Sequence, residues 1–183
     1  MANTLEYIAD NTVSGATVNT ITFSSIPQTY KDLYLIGSIL TDPGNTGAFL
    51  EIFPDDGAGG WPTAYGSTTR FYSGPTGSLG RQSFPANWRS RYVGGYLAGE
   101  TGPCYFEWTL HNYTTSTAEI AGFNQIGWSS FDSGYQEQYM GGHSVDDGYS
   151  TTTAPGPVTN LKLEFTATYL AVGTKITLYG IGS

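Results

Sequence analysis

The stretch Cys104-Tyr105-Phe106-Glu107-Trp108-Thr109-Leu110-His111 decides the fold class. Cys104, Phe106, Trp108 and Leu110 fall on one face, and Tyr105, Glu107, Thr109 and His111 on the other. A period of two is that of a half-buried β-strand, whose successive side chains point to opposite sides of a sheet. The same alternation recurs outward from this stretch. Leu161, Leu163 and Phe165 share one face, with Asn160, Lys162 and Glu164 on the other. Ile176 and Leu178 repeat it, leaving Thr177 and Tyr179 outward. Residues 18–23, 49–53, 92–97, 119–126 and 136–140 are further strand candidates. Residues 33–40 are almost continuously apolar, which predicts a strand buried on both sides. Turn signals such as Asp42-Pro43-Gly44-Asn45 and Asp55-Asp56-Gly57 separate these runs. No dozen residues hold a helical apolar repeat free of Gly, Pro or β-branched runs. Many short strands without helical crossovers predict an all-β antiparallel β-sandwich, jelly-roll-like, with long loops.

The 183 residues suffice for one substantial core, so the expected organisation is one β-sandwich domain over residues 1–183. Aromatic residues make up 15% of the chain and charged residues only 12%. That inventory suits a durable binding or shell protein better than a catalyst. The 25 Gly and 9 Pro follow no fixed period, which excludes collagen. Leu33-Tyr34-Leu35-Ile36-Gly37-Ser38 is echoed by Leu178-Tyr179-Gly180-Ile181-Gly182-Ser183, which predicts similar, neighbouring central strands. The second of these strands is expected to be integral to the sheet.

Fifteen acidic against seven basic residues give a formal charge of −8. Phosphate backbones repel such a chain, so no direct nucleic-acid partner is expected. All four arginines (Arg70, Arg81, Arg89 and Arg91) fall in one stretch. That stretch lies inside residues 54–102, the part read as an irregular loop region, which also carries Trp61 and Trp88. The arginines are either solvated or meet an acidic neighbour, and the tryptophans either plug the sandwich end or contact a partner. The partner reading names Trp61, Arg70, Arg81, Trp88, Arg89 and Arg91 as the interface.

Cys104 is the single cysteine, so no intrachain disulfide forms, and its place beside Phe106 and Trp108 predicts a buried structural thiol. The first residues hold no basic segment followed by an apolar run, and no stretch is long enough to span a bilayer. Synthesis in a cytoplasm without a targeting segment or membrane partner is expected.

Catalytic chemistry finds little footing. A jelly-roll glycoside hydrolase needs two facing carboxylates, for which Glu107 and Glu137 are the obvious pair. Neither lies in a glycanase motif, and Glu107 points away from the Cys104 face. Gly142-His143-Ser144-Val145-Asp146 has nucleophile residue types without the strand–elbow–helix context. His111 and His143 lack zinc-ligand spacing, and the Asp-Gly turns lack a calcium-loop pattern. No Gly-rich phosphate loop precedes a helix. No cofactor and no catalytic residue are expected.

Ser25-Ile26-Pro27-Gln28-Thr29-Tyr30-Lys31-Asp32-Leu33-Tyr34-Leu35 resembles the opening of small virion proteins of tailed bacteriophages. Asn112-Tyr113-Thr114-Thr115-Ser116-Thr117 and Ala171-Val172-Gly173-Thr174-Lys175-Ile176-Thr177-Leu178-Tyr179-Gly180-Ile181 fit the same group. Residues 54–102 have no counterpart in it. The resemblance implies a virion structural protein and carries over no catalytic residue. Capsid decoration (cement) binding to the major capsid protein is one role. A tail-fibre or receptor-binding module that stacks Trp and Tyr on host glycans is the other. No helical or triple-β stalk repeat is present, which favours decoration. Self-association as a homotrimer is expected, because burying an irregular aromatic arm between copies adds stability and capsids offer threefold positions.

Overall fold

The computed structural model describes residues 4–41, 49–55, 67–73, 79–84, 88–92, 104–115, 121–129, 136–144, 157–166 and 169–182. These residues form twelve strands and no helix. In chain order they are β1 (Leu5–Thr12), β2 (Thr20–Phe23), β3 (Asp32–Ile39), β4 (Phe49–Asp55), β5 (Ser67–Ser73), β6 (Leu79–Phe84), β7 (Trp88–Tyr92), β8 (Cys104–His111), β9 (Ala121–Ser129), β10 (Gln136–Ser144), β11 (Asn160–Thr166) and β12 (Lys175–Ile181). Two antiparallel sheets result. The larger runs β1-β12-β3-β8-β9-β10-β5-β6 and the smaller β2-β11-β4-β7.

The core lies between them, and strand alternation fills it. Cys104, Phe106, Trp108 and Leu110 of β8 are buried, as are Leu33, Leu35 and Ile39 of β3 and Ile176 and Leu178 of β12. Facing them are Ile21 and Phe23 of β2, Leu161, Leu163 and Phe165 of β11, and Leu50 and Ile52 of β4. Removing this apolar surface from water is the main favourable contribution to folding. Cys104 is a buried thiol outside any disulfide, within the cluster.

Two glycines of the large sheet make room for neighbouring aromatic rings. A Cβ at Gly37 would overlap the Phe106 ring, and one at Gly180 would overlap the Tyr30 ring. Both positions let an aromatic ring lie directly on backbone, a close approach that any larger residue prevents.

Three features differ from expectation. Strand β3 is buried on one side only: Ile36 is 39% exposed while Leu35 is fully buried. The small sheet covers one face of the large one, so the apolar run 33–40 has a single buried side. Residues 54–102, read as irregular, contain β5, β6 and β7. Strand β1 had no counterpart among the sequence candidates. Residues 93–97, the remainder of the candidate 92–97, lie outside the described residues. The echo between the two ends is realised as pairing: β3 and β12 are neighbours, with Tyr34 directly opposite Tyr179.

Candidate partner interface

Strands β5 and β6 carry Arg70 and Arg81 at one end of the large sheet, and β7 carries Trp88, Arg89 and Arg91 at the edge of the small one. The backbone of β7 approaches β5 and β10, so the two sheets meet here. Arg70 lies opposite Gln82 and Gly141, and Arg81 opposite Phe71. Trp88 pairs with Ile52, and Arg89 with Glu51, a residue only 4% exposed. Trp61 lies outside the described residues. Strands β6 and β7 are both sheet edges, and charge on an edge discourages uncontrolled strand addition. The fold therefore gathers the strands of Arg70, Trp88, Arg89 and Arg91 at one end of the sandwich, with Arg81 on the flanking edge.

A second convergence joins segments far apart in sequence. The Lys31 amide donates to the Ile181 carbonyl at 3.0 Å, and the Asn112 amide donates to Asp32 Oδ1 at 3.0 Å. The Tyr113 hydroxyl donates to the Pro27 carbonyl, and the Tyr30 ring covers Gly180. Burial pushes the Tyr113 hydroxyl above its ordinary pKa, with the Tyr30 backbone opposing it. Asn112 adopts φ 57°, a left-handed conformation that Asn accepts readily and that turns the chain out of β8. His111 Nδ1 lies 3.2 Å from Asp32 Oδ2. Residues 27–35, 112–113 and 178–181 thus meet where β3 begins and β8 and β12 end, while 171–175 pack against Leu40 and Val13 at the opposite end of β3.

The outer face of the large sheet carries a row of tyrosines that sequence reasoning did not assemble. Tyr7, Tyr179 and Tyr34 are consecutive in register across β1, β12 and β3. Ring centroids are 6.3 Å apart for Tyr7–Tyr179, at an interplanar angle of 80°, and 6.4 Å for Tyr34–Tyr179, at 40°. The Tyr7 hydroxyl donates to Asp10 Oδ1 at 2.5 Å, and Lys175 Nζ lies 3.6 Å from Asp10 Oδ2. The Tyr7 hydroxyl bond holds the Asp10 carboxyl below the usual carboxylate range, and the same bond raises Tyr7. Burial, then the charge of Glu107, pushes Tyr34 up. Tyr105, 61% exposed, stands on the same face. The available signal was the parity of Tyr34 and Tyr179 within their strands; Tyr7 gave none, because β1 is irregular.

The carboxylate pair is not brought together by the register. Glu107 pairs with Gln125, and Gln125 with Met140, so Glu137 lies two strands across and three residues along. Two spacings of about 4.8 Å and three rises of about 3.4 Å separate the backbones by about 14 Å, against about 5–9.5 Å between the carboxyl groups of glycosidases. Asp55 is buried at the end of β4, where Asn160 Nδ2 donates to its Oδ2 at 3.2 Å. The Asp146-Asp147-Gly148 turn lies outside the described residues. Among the described residues no three His, Cys, Asp or Glu side chains cluster to hold a metal, and no helix is long and apolar enough to cross a membrane. No protein-family model, curated protein or solved structure matches this chain.

Proposed function

We propose that this protein is a non-enzymatic virion structural protein of a tailed bacteriophage, a capsid decoration protein that stabilises the shell. The observation that carries this reading is the convergence of 27–35, 112–113 and 178–181. Part of each of the three segments that resemble phage virion proteins lies in one hydrogen-bonded junction, and 171–177 continue from it along β12 beside β3. Strand order adds support by analogy. β1-β12-β3-β8 facing β2-β11-β4-β7 follows a jelly-roll order, with the hairpins β5–β6 and β9–β10 inserted, and jelly rolls are common in capsid proteins.

In this reading the protein binds the major capsid protein and itself, as a homotrimer, through the end bearing Arg70, Arg81, Trp88, Arg89 and Arg91, with Trp61 in the same segment. Arginine presents five fixed donors to carboxylates, and an adjacent Trp excludes water from such pairs. Because the Arg89 position pairs in register with the buried Glu51, the discriminating variant is Arg81→Glu with Arg91→Glu. Electron cryo-imaging of particles assembled with the wild type should place density on the outer shell. The double variant, with unchanged far-ultraviolet circular dichroism, should be incorporated less. Density on the tail, or normal incorporation of the variant, overturns the shell role or the arginine contact respectively.

The tyrosine row favours one second reading, a receptor-binding module of the tail. Aromatic rings on an open sheet face provide surfaces on which glycans stack. Glycan-array binding by wild type that is lost in Tyr7→Ala with Tyr179→Ala, together with tail density, selects it.

A further inference from the structure

We propose that the free edge of β1 is a twofold contact with a second copy of this chain. The two β1 strands run antiparallel, with Tyr7 opposite the copy's Asp10 and Leu5 opposite the copy's Thr12. This contact does not rest on the virion reading, and it lies at the edge of the large sheet opposite to β6.

The hydrogen-bond phase of β1 carries the argument. The Gly182 amide donates to the Thr4 carbonyl at 3.0 Å. In an antiparallel ladder, bonded and non-bonded pairs alternate, so Glu6 and Gly180 form the next bonded pair. At the other end the Val13 amide donates to the Thr174 carbonyl at 2.9 Å, which makes Asn11–Ile176 and Ala9–Leu178 bonded pairs. The backbone amides and carbonyls of Leu5, Tyr7, Asp10 and Thr12 therefore point away from β12, to the open side. Leu5 and Tyr7 are 59% and 61% exposed, and β12 is the one strand that pairs with β1 among the described residues.

The bulge selects the occupant. The register shifts between Tyr7, opposite Tyr179, and Ala9, opposite Leu178, so Ile8 is the extra residue on β1. Outward-pointing residues are thus spaced by two at each end but by three between Tyr7 and Asp10. A regular strand offers its groups at every second residue and cannot follow that gap, which is how a bulge closes an edge to general strand addition. An antiparallel copy of β1 has the same gap in the matching place. About a twofold axis between Ile8 and Ala9, Leu5 meets Thr12 and Tyr7 meets Asp10, and every member of these pairs has its donor and acceptor outward. Side chains agree with this register. Each Asp10 carboxylate would lie near two Tyr7 hydroxyls, its own and the copy's, with Lys175 3.6 Å away to offset its charge. A self-complementary patch of this kind is what a twofold contact requires.

Two experiments test it. In the proposed register Glu6 lies opposite the copy's Asn11 as a non-bonded pair with Cα atoms about 4.5 Å apart, within reach of a disulfide. The Glu6→Cys, Asn11→Cys chain should form a covalent dimer under mild oxidation, while wild type, whose Cys104 is buried, does not. Tyr7→Pro removes an outward donor and leaves the bonds to β12 in place. Sedimentation should show its mass halved relative to wild type, with circular dichroism and melting retained and with Tyr7→Ala keeping more of the assembly. Absence of the cross-link overturns the contact, as does an unchanged mass of folded Tyr7→Pro. Should Tyr7→Pro fail to fold, the cross-link alone decides.

Discussion

The two faces of the large sheet are built from the same strands and have opposite consequences. On β3, Leu33, Leu35 and Ile39 are sealed against the small sheet, while Tyr34, Ile36 and Ser38 look outward. On this strand both sides carry apolar residues, so composition does not separate them here as it does on β8. What separates them is a second layer on one side only. Inward residues hold the fold, and outward residues are available for contacts.

The largest effect expected from this difference is at Trp108, which is fully buried. Trp108→Ala should destabilise the protein by about 3–5 kcal/mol through lost burial and the cavity left behind, measured by chemical denaturation. Next is Gly37→Ala, which drives a methyl into the Phe106 ring and should cost about 1–3 kcal/mol as overpacking. A normal melting temperature for this variant would break the close-approach argument. Tyr113→Phe removes the hydroxyl donor of the Pro27 carbonyl, which solvent can reach, and should cost about 0.5–1.5 kcal/mol, the net contribution of an ordinary hydrogen bond. Ile36→Thr, on the open face, should change stability by less than about 0.5 kcal/mol. A loss comparable to that of an inward leucine would mean the outer face is covered.

The smallest effect is electrostatic, at the surface pair Tyr7–Asp10. Asp10 is lowered in the folded protein, so its contribution is present above the ordinary carboxylate range and lost as pH falls through its folded value. Tyr7 is raised, so its contribution is present below the ordinary tyrosine value and lost as pH rises through its folded value. Carboxyl titration by nuclear magnetic resonance should find Asp10 shifted upward in Tyr7→Phe.

Legibility in the sequence followed the same division. Strand β8 runs from Cys104 to His111, the bounds of the stretch quoted first, because one buried and one open face produce clean alternation. The parity of β11 and β12 was equally plain. Strand β1 was not, because a bulge breaks its alternation at Ile8 and most of its side chains are exposed. Strands β5, β6 and β7 (Ser67–Ser73, Leu79–Phe84 and Trp88–Tyr92) mix Arg, Ser, Thr and Gly without a sustained apolar period, so their pairing depends on neighbours remote in sequence. The arginine cluster was visible as composition, but its division between two sheets, with Arg89 across from Glu51, was not. The tyrosine row needed β1, β12 and β3 side by side, an arrangement no local pattern encodes.

Placing β12 between β1 and β3 also dictates an order of events during synthesis. Residues 175–181 supply the ladder partner for both 5–12 and 32–39. Until they leave the ribosome, 5–12 has no ladder partner and 32–39 has only β8 on its other side, so one edge of 32–39 and the whole of 5–12 remain open to other chains. Closing loops this long before native contacts form is slow. Refolding should accordingly take milliseconds to seconds or longer, in the range of all-β domains dominated by non-local pairing. Nascent chains stalled before residue 175 should be far more sensitive to protease than chains released after residue 181.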